Sequence, residues 1–180
     1  MKEDSIVSKF YRVPQTPSAI RDALGLLPSP IGGHYRKIGS NKAELGQIGM
    51  GGVILFLMTA EEQLCWHWSA SAEVWQWRAG APLVLVYDSI GTGRQHVGVG
   101  PNPSNGEAMQ GTMPAQSWQK AGSLGAWSLV ICITNPMLKF GGSRIAPVEW
   151  SPPSIEGPMT LEPKCSSIPR RLRVVDRAET

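Results

Sequence analysis

The stretch from Cys65 to Gly80, CWHWSASAEVWQWRAG, sets an imidazole and a carboxylate among four indoles. Read as a hairpin turning at Ala70 to Ala72, it places Ser69 opposite Glu73, His67 opposite Trp75 and Cys65 opposite Trp77. Side chains alternate across a strand, so these six share one face, with Trp66, Trp68, Val74 and Gln76 on the other. If the first face lines a barrel, His67 and Glu73 share an indole-walled pocket. They then form an acid/base pair or contribute two ligands to a metal. A hydrogen-bonded structural pair is the plainer alternative, and the residues alone leave all three open.

The elements that must hold these groups are mostly strands. One helix is signalled near the start: Thr16 caps it, Pro17 takes the first helical position, and Ala19, Ile20, Ala23 and Leu24 form an apolar stripe that ends at Gly25. Leu26 to Gly33, LLPSPIGG, stops it with two prolines and a glycine pair. From there the period falls from 3.6 to 2. Strands are expected over Gly52 to Met58, Gln63 to Ser69, Glu73 to Arg78, Leu83 to Asp88, Arg94 to Val99, Ala108 to Met113, Ser117 to Ala121 and Trp127 to Thr134. Short strands at this spacing, with Gly, Pro, Asn or Ser between most of them, predict an all-β sandwich or barrel. No strand alternates with a long helix, which argues against a parallel α/β sheet.

Twenty Gly and fifteen Pro in 180 residues suit frequent turns, and 42% hydrophobic against 17% charged residues suits one globular domain. The division expected is an arm over 1–15, a barrel domain over 16–150 and a Pro-rich tail over 151–180 that packs on the barrel or on a partner subunit. The net charge of +3 is spread along the chain until Arg170, Arg171, Arg173 and Arg177, so no nucleic-acid partner is expected. The N-terminus lacks an apolar signal region, and the longest apolar run, Val53 to Met58, has six residues where a membrane span needs about 20. No membrane partner is expected. Cys65, Cys132 and Cys165 are odd in number and show no CxxC spacing, which fits reduced, mostly buried thiols in a cytoplasmic protein.

The order His67, Ser69, Glu73, Gly80 resembles the first cupin motif, G-x5-H-x-H-x3-4-E-x6-G, and Pro114 to Gln119 resembles the second, P-x-G-x-x-H, with Gln119 at the place of a ligand histidine. More closely, the chain resembles one cupin subfamily of unknown function. Its members carry L-G-L-x-P-H-P-E-G-G-Y-Y-R, W-H-R-x-x-x-D-E-x-W, G-E-x-x-Q and P-x-G-x-W-Q. Here these read as Leu24 to Arg36, Trp66 to Trp75, Gly106 to Gln110 and Pro114 to Gln119, in order over roughly residues 18 to 145. The resemblance implies a cupin jelly-roll (a double-stranded β-helix barrel), usually a homodimer, with its pocket in the barrel mouth. Four polar positions of the family become Ser29, Ile31, Trp68 and Ala72; any that face the pocket make it drier. The family's metal set of three His and one Glu is reduced to His67 and Glu73, with Ser69 and Gln119 in the other two places. Two strong donors make a weak shell for a transition metal, so no metal or other cofactor is expected. His34 and His96 are read as structural or exposed.

The expected function is a metal-independent isomerase, epimerase or cyclase acting by acid-base chemistry on a small, largely apolar metabolite in specialised metabolism. His67 and Glu73 are its catalytic candidates; Ser69, Trp75, Trp77, Trp118, Gln119, Tyr35 and Cys65 are its substrate-binding candidates. A non-catalytic small-molecule binder is the alternative, with a metal-dependent oxygenase behind it.

Overall fold

A computed structural model describes residues 16–40, 51–89, 93–135 and 143–153. The helix forms where the capping residues place it. α1 spans Pro17–Leu24, Thr16 Oγ1 accepts from the Ala19 N–H, and Gly25 closes the helix at φ 59°, a left-handed value that suits glycine. Its Ile20, with Leu26 just beyond it, packs on Leu57 and Leu129, so the helix covers the outside of a sheet.

The strands are β1 (Leu27–Pro28), β2 (His34–Ser40), β3 (Gly52–Thr59), β4 (His67–Ser69), β5 (Ala72–Gly80), β6 (Leu83–Ser89), β7 (Gly93–Val99), β8 (Gln110–Met113), β9 (Ser117–Ser123), β10 (Trp127–Asn135) and β11 (Ser143–Ile145). A 3-10 turn at Pro103–Asn105 precedes β8. They build two antiparallel sheets, one of six strands in the order β1-β2-β3-β10-β5-β8 and one of five in the order β11-β4-β9-β6-β7. Neighbours are mostly distant in sequence, as two sheets closing on each other in a jelly roll require.

The two inner faces meet in one core. The six-stranded sheet contributes Phe56, Met58, Trp75, Met113, Val130 and Cys132, and the other contributes Leu83, Leu85, Val99 and Ala121, with Leu64 between them. Along each sheet the interior then turns polar. Beyond Leu85 and Ala121 come Tyr87, Gln119 and His67, then Ser117 and Ser69. Beyond Trp75 and Cys132 come Glu73 and Thr134. Ser69 and Glu73 are joined by a short link, so the polar rows share one end of the barrel.

The sequence-based hairpin does not form. β4 pairs with β9 and β11, whereas β5 pairs with β10 and β8. Residues 70–71 are a corner between sheets. Ser69 Oγ fastens it, donating to the Ser71 carbonyl at 2.9 Å and accepting from the Ser71 N–H at 3.3 Å. β2 and β11 are strands that the periodicity did not show. The expected arm over 1–15 and the tail beyond Pro153 lie outside the described residues.

Candidate functional site

His67 is buried at the start of β4, where its cross-strand partner on β9 is Gln119. Its Nδ1 lies 3.0 Å from the Cys65 carbonyl oxygen. A carbonyl only accepts, so Nδ1 carries the proton, and in the neutral ring Nε2 is left as the base. Nε2 makes no hydrogen bond among the described residues.

Glu73 lies inside the facing sheet, also buried. Both of its hydrogen bonds are on Oε2, which accepts from Trp75 Nε1 at 3.1 Å and from Cys132 Sγ at 3.5 Å. Register explains the cluster: Trp75 pairs with Cys132, one inward step from Glu73 and Thr134. Burial pushes the Cys132 thiol well up from its ordinary range, helped by the Glu73 charge and by its bond to Glu73, so it stays a protonated donor. Glu73 Oε1 makes no hydrogen bond among the described residues. His67 and Glu73 have no hydrogen bond or ion pair with each other there. They stand on opposite sheets as two separately anchored groups.

Gln119 is fully buried, and its amide is oriented by contacts that fix its sense. Nε2 donates to the Pro114 carbonyl at 3.1 Å and to Ser117 Oγ at 3.2 Å, while Ser117 Oγ itself donates to the same carbonyl. Oε1 is left buried without a partner among the described residues.

The other expected site residues divide. Trp75 and Trp77 are on the inner face; Trp77 packs on the core and gives its indole N–H to the Ala81 carbonyl at 3.2 Å. Tyr35 also faces in, stacked on Phe56 with ring centroids 6.5 Å apart. Ser69 is inside, but its hydroxyl is spent on the corner. Two expectations need correction. Trp118 is outside: it pairs with Trp68 on the outer face and packs on Trp150 at 4.3 Å, because strand alternation turns it away from Gln119. Cys65, expected as a reduced thiol, is disulfide-bonded, which removes the support that a reduced thiol there lent to a cytoplasmic location. Its backbone still serves the site, through its carbonyl on His67 and its N–H on the Ile31 carbonyl at 2.8 Å.

Tyr87 was missed. It is half-buried against the core and is the direct neighbour of Gln119 on β6. The alternation Leu83, Leu85, Tyr87 was the signal that pointed it inward.

Of the four departures from the family pattern, Ile31 faces the core. Trp68 is on the outer face beneath the Arg144 guanidinium at 4.9 Å, Ser29 Oγ accepts from the Ile31 N–H within its turn, and Ala72 alternates away from Glu73. His34 is structural, buried between Glu62, whose carboxylate lies 3.2 Å from Nδ1, and Arg21, whose guanidinium lies 3.4 Å from Nε2; His96 is exposed.

The metal of the wider fold does not fit these residues. Among the described residues no three His, Cys, Asp or Glu side chains gather as a metal would need. At the four ligand places, Ser69 is committed to the corner, which leaves one imidazole nitrogen, one Glu73 oxygen and the weak neutral donor of the Gln119 amide oxygen, a poor set for a transition metal.

The chain matches the family described as Cupin superfamily (DUF985) over residues 18–146, and it belongs to that family. No curated protein matches it. A hypothetical protein from Leishmania major is similar in structure, with a TM-score of 0.67 and 25% identity over 73% of this chain and 88% of that one. A protein from Shewanella oneidensis gives a TM-score of 0.69 and 22% identity over 75% and 87%. Oxalate decarboxylase from Bacillus subtilis shares the fold at a TM-score of 0.51 and 9% identity, over 66% of this chain and 29% of that one. No helix among the described residues is long and apolar enough to cross a membrane.

Proposed function

We propose that this cupin is a metal-independent enzyme that isomerises, epimerises or cyclises a small, largely apolar metabolite by proton transfer. The observation that carries the reading is the anchoring of His67, whose Nδ1 is tied to the Cys65 carbonyl. A histidine held in one tautomer offers a defined Nε2 as general base, and as general acid once protonated. Glu73 supports it from the other sheet: its Oε2 is fixed by two donors, and Oε1 is left for a substrate. Two proton-handling atoms on facing sheets suit removal at one point of a substrate and return at another. Trp75, Trp77, Tyr35 and Ile31 supply the apolar wall, and the faces of the indoles favour developing positive charge. We place this enzyme, as a homodimer, in specialised metabolism; analytical ultracentrifugation of the purified chain tests the dimer.

The test is turnover in a panel of apolar metabolites run in deuterium oxide. Wild type should incorporate deuterium into a product, and His67→Ala should lose at least about a hundredfold in rate while still unfolding in one cooperative melt, at a somewhat lower temperature because the Cys65 carbonyl loses its donor. Unchanged turnover in a folded His67→Ala variant removes His67 from the mechanism. A second reading, a non-catalytic binder, is favoured by one observation: Glu73 is already held by Trp75 and Cys132 and is not paired with His67. A ligand recovered unchanged after long incubation supports the binder, and a converted one supports the enzyme.

A further inference from the structure

Gln119 and His67 are cross-strand neighbours on the inner face, and both present acceptors there. The Gln119 amide cannot be turned round without loss. The Pro114 carbonyl has no proton to give, so the atom beside it must be Nε2, and Oε1 must be the other. Oε1 is buried with no partner among the described residues. Native proteins leave few such atoms, because a buried acceptor that has given up water and gained nothing is unfavourable. His67 adds Nε2, an acceptor in the neutral ring. Tyr87 stands directly beside Gln119 on β6.

The cations of the described residues lie elsewhere. Lys120, the buried lysine, alternates to the outer face with its ammonium 5.0 Å from the Trp66 ring, and Arg94 and Arg144 stack on the outer faces of Trp66 and Trp68. Lys37, on β2, shares the inward register with Ile54 but is exposed. Ile31 closes the same interior with an apolar side chain.

We infer that the site takes an uncharged, largely apolar molecule carrying a hydroxyl or N–H donor, which Gln119 Oε1 accepts beside His67. The inference deepens the proposed function by naming its substrate class, and rests on that reading for the placement of the site. A polar atom built to receive a donor discriminates strongly against an analogue lacking one, because the analogue leaves it unmet. A carboxylate or phosphate is rejected twice: it meets acceptors where it needs donors, and it loses hydration where no buried cation among the described residues replaces it.

The test is isothermal titration of the purified full chain with three probes of one shape, 4-propylphenol, its methyl ether 4-propylanisole, and 4-propylbenzoate. Wild type should bind the phenol at least tenfold more tightly than the ether, with the benzoate weakest. In Gln119→Leu the phenol and the ether should come within about threefold of each other. Gln119→Met, similar in length and without a side-chain oxygen, should likewise bring the phenol and the ether together, which covers the case of a Leu variant that does not fold. Phenol and ether bound alike by wild type, no saturable binding of the phenol, or the benzoate bound most tightly each overturns the inference; the last would point to Lys37. The proposed function fails differently. If the probe order holds while His67→Ala leaves turnover unchanged, the acceptor site stands and the catalytic reading falls. His67-dependent turnover of an anionic substrate does the reverse.

Discussion

How dry the barrel interior is can be measured through Cys132. Its thiol is buried against Glu73, and burial, the Glu73 charge and the hydrogen bond to it all raise its proton affinity above the ordinary 9.0. An unfolded chain releases that proton near pH 9, while the folded chain keeps it. Holding the thiol neutral therefore contributes stability that is complete below about pH 9 and is lost as the pH climbs toward the raised folded value. Each pH unit in that window costs about 1.4 kcal/mol. With the folded thiol kept protonated, wild type should lose on the order of 1 kcal/mol from this group between pH 7 and pH 10. Cys132→Ser is the control, since its hydroxyl still donates to Glu73 and does not titrate in this range. Other groups titrate in both proteins and cancel in the difference. Urea unfolding followed by tryptophan fluorescence at pH 7, 9 and 10 gives the two stability curves. They should run together to pH 8.5 and then diverge, with wild type falling faster. Parallel curves to pH 10 would show a thiol that ionises as easily folded as unfolded, and would refute a dry Glu73 environment.

Two further outcomes test the frame that positions the site. Gln63 is buried, with Oε1 accepting from the Ser123 N–H at 2.7 Å and Nε2 donating to the Ala60 carbonyl at 3.0 Å. Gln63→Leu strands both backbone groups and should lower the urea-derived stability by about 1–3 kcal/mol; no change would mean that water replaces the amide. Gly80 ends β5 at φ 83°, and an added Cβ would collide with the Trp127 ring and carbonyl. Gly80→Ala should therefore lower the melting temperature by several degrees, corresponding to more than about 1 kcal/mol. An unshifted melt would show that the β5–β6 turn adapts freely.

Strands were legible where apolar runs stand between turn residues. Gly52 to Met58, Leu83 to Asp88 and Trp127 to Thr134 were each read within one or two residues of β3, β6 and β10. β2 was not, since HYRKIGS mixes a tyrosine that faces in with charged and small residues, and β11 has three residues, too few for any period to show. The hairpin failed for another reason. Spacing tells which residues share a face, but not which strand lies alongside. Pairing of Ser69 with Ser117 and of Trp75 with Cys132 is long-range, and the corner that makes it possible is a serine hydroxyl bonded to its own chain.

The site was legible in the same partial way. That His67, Glu73, Trp75 and Trp77 face inward follows from alternation within β4 and within β5, whichever sheet each strand joins. Placing both Trp118 and Gln119 in the site broke that same rule, because neighbours on a strand point to opposite faces. One of them had to be wrong, and choosing needed a single long-range pair. The register His67 to Gln119 supplies it: it brings the glutamine inside with the histidine and puts Trp118 outside with Trp68. Once that pair is fixed, the β9–β6 register makes Tyr87 the next neighbour inside, and the acceptors around the Gln119 amide decide which of its atoms is left for a ligand. The chemistry of the mouth thus depends on a contact 52 residues apart in the chain, which no local pattern in the sequence encodes.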